Sequence, residues 1–215
     1  SRLMIPIRDS KGRVAGFSGR VLEGSANQLP KYKNSSETEW FKKKEILYGL
    51  DIASKQIRQE DYVCLVEGYF DQWAFYRRDI PAVAVMGTAL SDEHVEQLSR
   101  HTQNIILVLD TDKAGLAATQ RSLPILLKKE MSVRVFSELN GKDPDEWLAT
   151  FKASNKEIKT KLMTAPSAIE WWTRTRLQEK LAQNPDRLSA IKGIEELWLW
   201  THTSAQKNIL ADEAS

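Results

Sequence analysis

NIILVLDTDKAG, residues 104–115, runs a stretch of isoleucine, leucine and valine into two aspartates spaced two apart and closes on a glycine. Such a short apolar run reads as a buried strand, so the carboxylates stand at its carboxyl end. Outward from it the same order recurs: YVCLV (62–66) leads into EGYFD (67–71), AVAVM (82–86) into GTAL (87–90), and VRVF (133–136) precedes GKDPDEW (141–147). Between these runs lie segments of helical spacing, at about 69–79, 91–102 and 114–129. The βαβαβαβ order predicts an α/β fold, a parallel sheet flanked by helices, whose ligands bind outside the carboxyl ends of the strands. Glu67 and Asp110 fall at those ends.

Local signals support the boundaries. Ser91 precedes Asp92 and Glu93 as an N-cap with acidic residues in the first turn. Gly68, Gly87 and Gly115 mark strand-to-helix turns where the backbone bends sharply. Ahead of this core, residues 1–30 predict two or three short strands around a DSKG turn, and residues 36–58 predict a helix with Ser36 and Glu39 in capping-box spacing before Trp40 and Phe41. The expected organisation is a partial mixed α+β lobe over 1–61, a sheet domain over 62–150 and a helical segment over 151–215. In the last of these, Pro166 stands as a first helical residue, followed by Ile169, Trp172, Leu177 and Leu181. A second helix is expected over 186–201, with Leu188, Ile191, Ile194, Leu197 and Trp198 on one face. The helical spacing of Trp171, Trp172, Trp198 and Trp200 favours packing over base stacking.

Composition narrows the function. With 215 residues, 41% of them hydrophobic and 28% charged, the chain can bury a sizeable core. No apolar run approaches the roughly 18 to 20 residues needed to cross a bilayer, and no signal peptide opens the chain, so an intracellular, cytoplasmic protein is expected. Cys64 is the single cysteine, which excludes an internal disulfide and a multi-cysteine zinc ribbon; its neighbours mark it as a buried strand residue. His94, His101 and His202 form no HExxH pair and are expected to pack or to sit on helix surfaces. The net charge of +2 is uneven: residues 1–62 carry 12 Lys or Arg against 8 Asp or Glu, and residues 63–150 carry 9 against 13. A positive segment before an acidic one suits an enzyme that holds a polyanion beside metal ions.

The acidic residues carry the chemistry. Carboxylates converging at one edge of a sheet make a site for hard divalent cations, the usual agents of phosphoryl and nucleotidyl transfer. Asp110 and Asp112 share one side if the extended backbone continues through Thr111; the alternative is that Asp112 caps the next helix. Glu67, directly after an apolar strand, is costly to bury without a cation or donors. Asp71 lies one helical turn further on, either as a ligand or as a first-turn charge. Asp143, Pro144 and Glu146 read as a capped helix start that leaves Asp145 free.

Read together, EGYFD, DTDKAG and DPDE on alternating β and α units resemble a TOPRIM domain, the metal-binding fold shared by primases, type IA and II topoisomerases and some nucleases. RLMIPIRDSKGRVAGFSGRVL (2–22) and PKYKNSSETEWFKKKEILYGL (30–50) are similar to the catalytic core of bacterial DnaG-type primases, and GTAL fits the same pattern over roughly 1–150. The resemblance implies that Glu67, Asp110 and Asp112 bind catalytic Mg2+ or Mn2+, with Asp71, Asp143 and Asp145 lining the same site. It implies that Arg20, Lys31, Tyr32 and Asn34 face template and nucleotide, and that Lys43 and Lys31 hold the triphosphate. The sequence departs from the family pattern at Ser18, Thr111 and Lys44, where glycine is common, and keeps every matched carboxylate and lysine.

The implied activity is synthesis of an RNA primer on single-stranded DNA from ribonucleoside triphosphates. A zinc domain and a C-terminal domain contacting the replicative helicase would lie outside this fragment. The alternatives are another TOPRIM enzyme, a nuclease or topoisomerase subunit, or a non-catalytic nucleic-acid-binding module. The absence of a GxxxxGK[ST] loop argues against a fused helicase within these residues.

Overall fold

The computed structural model describes residues 1–22, 30–139 and 143–183, together with 195, 198–201 and 207. Strands β1 (Arg2–Arg8) and β2 (Val14–Val21) pair antiparallel around the DSKG turn, and β3 (Tyr32–Asn34) pairs with β2. Asp9 closes the turn: its Oδ1 accepts from the amides of Lys11 and Arg13, and Gly12 supplies the positive φ of 81°. The reading of these residues as strands is borne out.

Residues 36–58 do not form one helix. Thr38 Oγ1 accepts from the amides of Trp40 and Phe41, a single 3-10 turn spans Lys43–Glu45, and helix α1 begins at Leu50. Two forces override the helical spacing. Phe41 is drawn into a cluster with Ile5, Ile7, Ile46, Tyr69 and Met86 that joins the small sheet to the larger one. The carbonyls of residues 43 to 45, needed for helical bonds, are taken by side chains of a helix further along the chain. Only at Gly49, with φ of 83°, does the chain turn into α1 (Leu50–Glu60). Phe41 has no exposed surface, and a Cβ added to Gly16 would lie 3.1 Å from its ring. Phe41→Ala is therefore expected to cost about 3–5 kcal/mol in urea unfolding.

The second sheet is parallel, as expected. Its strands are β4 (Val63–Val66), β5 (Ala82–Ala84), β6 (Asn104–Leu107) and β7 (Ser132–Val135), in the order β5-β4-β6-β7. Helices α2 (Tyr69–Tyr76), α3 (Asp92–Ser99) and α4 (Lys113–Lys128) make the crossovers, and α5 (Pro144–Thr150), α6 (Asn155–Met163) and α7 (Ala168–Gln183) follow. Alternate side chains serve opposite faces. Val63, Leu65, Val83, Ile105, Leu107, Val133 and Val135 pack with apolar residues of α1, α3, α4 and α7. Cys64, Val66, Ala82, Ala84 and Ile106 pack with those of α2, α5 and α6. A sheet covered on both faces has no solvated side, which is why its strands read as continuous apolar runs. Although α1 precedes residue 61, its Leu50, Ala53 and Ile57 belong to this core.

From β4 the chain crosses to β5 on one side and then returns to β6 on the other. The carboxyl ends of β4 and β6 therefore flank the switch point, where a crevice opens in such sheets. Tyr48 adds an antiparallel bridge to β5: its amide donates to Ala84 O at 2.9 Å and its carbonyl accepts from Ala84 N at 3.0 Å.

The helical segment differs from expectation at its start. Pro166 O accepts from Val135 N at 3.0 Å, and α7 begins at Ala168 with Ser167 and Glu170 exchanging capping bonds. Pro166 thus extends a sheet edge instead of opening a helix. Trp171 and Trp172 are buried and the Trp172 and Trp200 rings meet edge-on at 4.7 Å, so packing accounts for them. Trp198 is exposed, while Leu188, Ile191, Ile194 and Leu197 lie outside the described residues, as do the side chains of Leu177 and Leu181. Cys64 is buried, and burial pushes its thiol well above the usual range. His94 is buried and His101 accepts from Arg58 Nη1 at 2.7 Å; His202 lies outside the described residues.

Candidate active site at the switch point of the sheet

Glu67 follows β4 and Asp110 follows β6, so both carboxylates stand at the switch point. They line a cleft of about 290 Å³ with Asp71, Asp143 and Asp145 on the acidic rim and Arg20, Lys31, Tyr32 and Asn34 on the opposite, basic rim. The first rim comes from the parallel sheet and the second from β2, β3 and the residue preceding β3.

Each carboxylate is held differently. Asp71, in the first turn of α2, accepts from Gly68 N at 3.0 Å and from Asp145 N at 3.3 Å, which ties the EGYFD turn to the DPDE helix. Asp143 accepts from Glu146 N at 2.7 Å as the N-cap of α5 and also lines the cleft, so capping does not take it away from the other carboxylates. Asp112 caps α4 by accepting from Gly115 N at 2.8 Å, and it is not among the residues lining the cleft. The backbone turns at Thr111 instead of staying extended, which separates Asp112 from Asp110 in role. Lys43 is likewise not among the residues lining the cleft; it stands on the 3-10 turn beside α3.

Glu67 Oε1 is buried with no hydrogen-bond partner, an orphaned oxygen of the sort a cation satisfies. Hard oxygen donors suit Mg2+ or Mn2+, and the residues present fit such an ion. Among the described residues no three acidic, histidine or cysteine side chains are already gathered around one point. Mg2+ does not require such a cage, because it is commonly held by one or two carboxylates with water and substrate phosphate.

The carboxylates raise one another's proton affinity. Burial, then the charges of Asp110 and Asp143, pushes Asp71 up to about 7; burial and Asp110 raise Glu67; burial, Asp143 and Asp112 raise Asp110; burial and Asp143 raise Asp145. Between pH 3.8 and about 7 the folded Asp71 keeps a proton that the unfolded chain has released. Stability without divalent ions therefore falls as pH rises through that window, by on the order of 4 kcal/mol from Asp71 over the whole of it. Chemical unfolding in chelator at pH 5 and pH 8 checks this, and saturating Mg2+ is expected to flatten the difference.

On the basic rim, the Arg20 guanidinium lies 3.9 Å from the centre of the Phe70 ring, and its Nη1 donates to Tyr32 Oη at 3.2 Å. Tyr69 Oη donates to Asn34 Oδ1 at 3.0 Å, and Asn34 Nδ2 donates to Met86 O at 3.4 Å. Sequence reasoning did not single out Tyr69, Phe70 or Met86, all of which line the cleft. Phe70 is the unspecified position of EGYxD, so no motif marked it. Met86 adopts a left-handed φ of 58°, unusual for a side chain of its size and sited where strain often marks function.

A second cavity of about 380 Å³ shares Glu67 and Gly87 with the first, and Leu65, Val85, Leu90, Arg121 and Ile125 are among the residues that line it.

Two family models match the chain. Residues 1–54 match the N-terminal domain of the DNA primase catalytic core, and residues 64–148 match a Toprim-like domain. A DNA primase of Synechocystis is 41% identical over 192 residues, covering 86% of this chain and 30% of the relative. A DNA primase domain from Pseudomonas aeruginosa superposes with a TM-score of 0.83 at 30% identity, covering 99% of this chain and 68% of that one. A DnaG primase catalytic domain bound to single-stranded DNA superposes with a TM-score of 0.80 at 32% identity, again over 99% and 68%. The chain thus spans about 30% of the length of such curated relatives and about two thirds of the solved catalytic domains.

Proposed function

Because the chain belongs to the DnaG-type DNA primase family, we propose that it forms the metal-binding part of a catalytic core that makes RNA primers on single-stranded DNA. The observation that carries this reading is the cleft in which five carboxylates face Arg20 and Lys31 across the switch point. A nucleotidyl transfer needs both signs of charge: anions to hold cations, and cations to hold the phosphates of nucleotide and template. Glu67 and Asp110, with Asp71, Asp143, Asp145 and the adjacent Asp112, would hold Mg2+ or Mn2+. Such an ion supplies charge neutralisation at the phosphates and a lowered pKa at the attacking 3′-hydroxyl.

The chain's own residues do the rest. Arg20, stacked on Phe70 and bonded to Tyr32, offers a guanidinium of fixed orientation to a phosphate. Lys31 offers a mobile point charge on the same rim, and Tyr32 and Asn34 hold that rim against Tyr69 and Met86. Lys43 contributes to triphosphate binding from outside the cleft. Ribonucleoside triphosphates, a single-stranded DNA template and the replicative helicase are the partners this reading requires, with the bacterial cytoplasm as its place. Among the described residues no helix is long and apolar enough to cross a membrane.

The test is primer synthesis by the full-length parent on single-stranded DNA with labelled ribonucleotides, with and without Mg2+. Ribonucleotide products that require the ion support the reading. Cleavage of the DNA without synthesis would move it to a nuclease.

A further inference from the structure

Three consecutive main-chain carbonyls are held by three side chains of one helical segment. His94 Nε2 donates to Lys43 O at 2.8 Å, Ser91 Oγ to Lys44 O at 2.7 Å and Gln97 Nε2 to Glu45 O at 2.6 Å. The donors are spaced three residues apart from the N-cap of α3 onward and so share one face. A carbonyl only accepts, so His94 carries its proton on Nε2, which leaves Nδ1 to accept from Ser91 N at 3.3 Å. Ser91 Oγ accepts from His94 N at 3.1 Å, so the two residues also orient each other. From the other side, Glu37 Oε1 accepts from Lys43 N at 3.2 Å.

The segment fixed in this way carries the run Lys42, Lys43 and Lys44. Lys42 pairs with Glu45 at 3.0 Å, whereas neither Lys43 nor Lys44 has an ion-pair partner among the described residues. A lysine run that only keeps a surface solvated gains nothing from having its backbone immobilised. Immobilisation does help a cation that must meet a phosphate at a set place, because less freedom is lost on contact. The loop 87–90 leads directly into Ser91, and its Gly87 lines the acidic cleft, so the clamp is built onto the wall of the site.

We propose that Ser91, His94 and Gln97 are positioning residues that hold Lys43 and Lys44 as a phosphate contact beside the cleft. This rests on the primase reading, in which phosphate arrives either as the triphosphate of a nucleotide or as the backbone of the template. Two measurements on the full-length parent separate these sources: KM and kcat for ribonucleotide, and Kd for a labelled single-stranded DNA, each accompanied by the thermal midpoint.

His94→Ala is expected to raise either KM or Kd roughly tenfold while kcat changes less than about threefold. His94→Gln, which keeps an N–H donor, is expected to restore most of the loss. In a Lys43→Ala, Lys44→Ala background the further change His94→Ala is expected to add nothing, since a positioning residue has nothing left to position. Additive losses, or a lowered midpoint with unchanged KM and Kd, would overturn the clamp and leave the primase reading intact. So would a Lys43→Ala, Lys44→Ala parent that primes and binds DNA normally. If the parent makes no primer, the primase reading falls and the DNA-binding arm still decides the clamp.

Discussion

Asp110→Asn is expected to lower primer synthesis by about 10²–10³-fold or more while raising the thermal midpoint of the metal-free protein. The two effects have one cause. Asp110 stands among Asp143, Asp112 and Glu67, and burial together with the charge of its neighbours raises its proton affinity. Asparagine removes the repulsion and keeps the shape, so the fold without metal gains stability. The same change removes an anion that the proposed cation needs. Activity and stability thus move in opposite directions, as they do where a site is kept at the expense of the fold. The check combines a primer-extension assay with thermal melts in chelator and in saturating Mg2+. The wild type is expected to gain more from Mg2+ than the variant. Undiminished synthesis in the variant would remove Asp110 from the site.

Gly115→Ala is expected to damage the fold and the site together. A Cβ at this position would lie 2.0 Å from the carbonyl oxygen of Asp110 and 2.6 Å from its carbonyl carbon. Both are backbone atoms, so no side-chain rotation relieves the clash and the Asp110–Asp112 turn must move. Overpacking of this sort costs about 3 kcal/mol. For a chain of this size that is on the order of 10 °C in thermal midpoint. The displaced turn carries Asp110 and breaks the bond from Gly115 N to Asp112, so synthesis is expected to fall about 10²-fold or more. The melt and the assay on one preparation test this. A variant with wild-type midpoint and activity would mean that the turn is not packed as described.

The parallel sheet was legible because both of its faces are covered, and continuous apolar runs such as YVCLV leave little ambiguity. Glu67 and Asp110 were legible because strand ends position them whatever the loops do. Asp112 was not: residue spacing alone cannot say whether the backbone stays extended through Thr111, and the competition with helix capping was decided by Gly115 N. The segment 36–58 misled because its apolar spacing suits a helix, while Phe41 and the donors of α3 draw the chain elsewhere. No local pattern encodes bonds spanning about fifty residues. Phe70 and Met86 were missed for a related reason, since each acts through a neighbour brought up by the fold, Arg20 and Asn34.

The bridge between Tyr48 and Ala84 bears on how the cleft can behave. Tyr48 also accepts from Trp73 Nε1 through its hydroxyl, at 2.7 Å, and its ring meets Tyr69 at 4.8 Å. The strand of chain that joins the two rims is therefore stitched to the larger sheet at its backbone and at its side chain. A joint of that kind works as a spacer gauge, not as a hinge. The distance between the acidic and basic rims is set at this joint, and on the proposed primase reading it is the gauge that a nucleic acid entering the gap would meet.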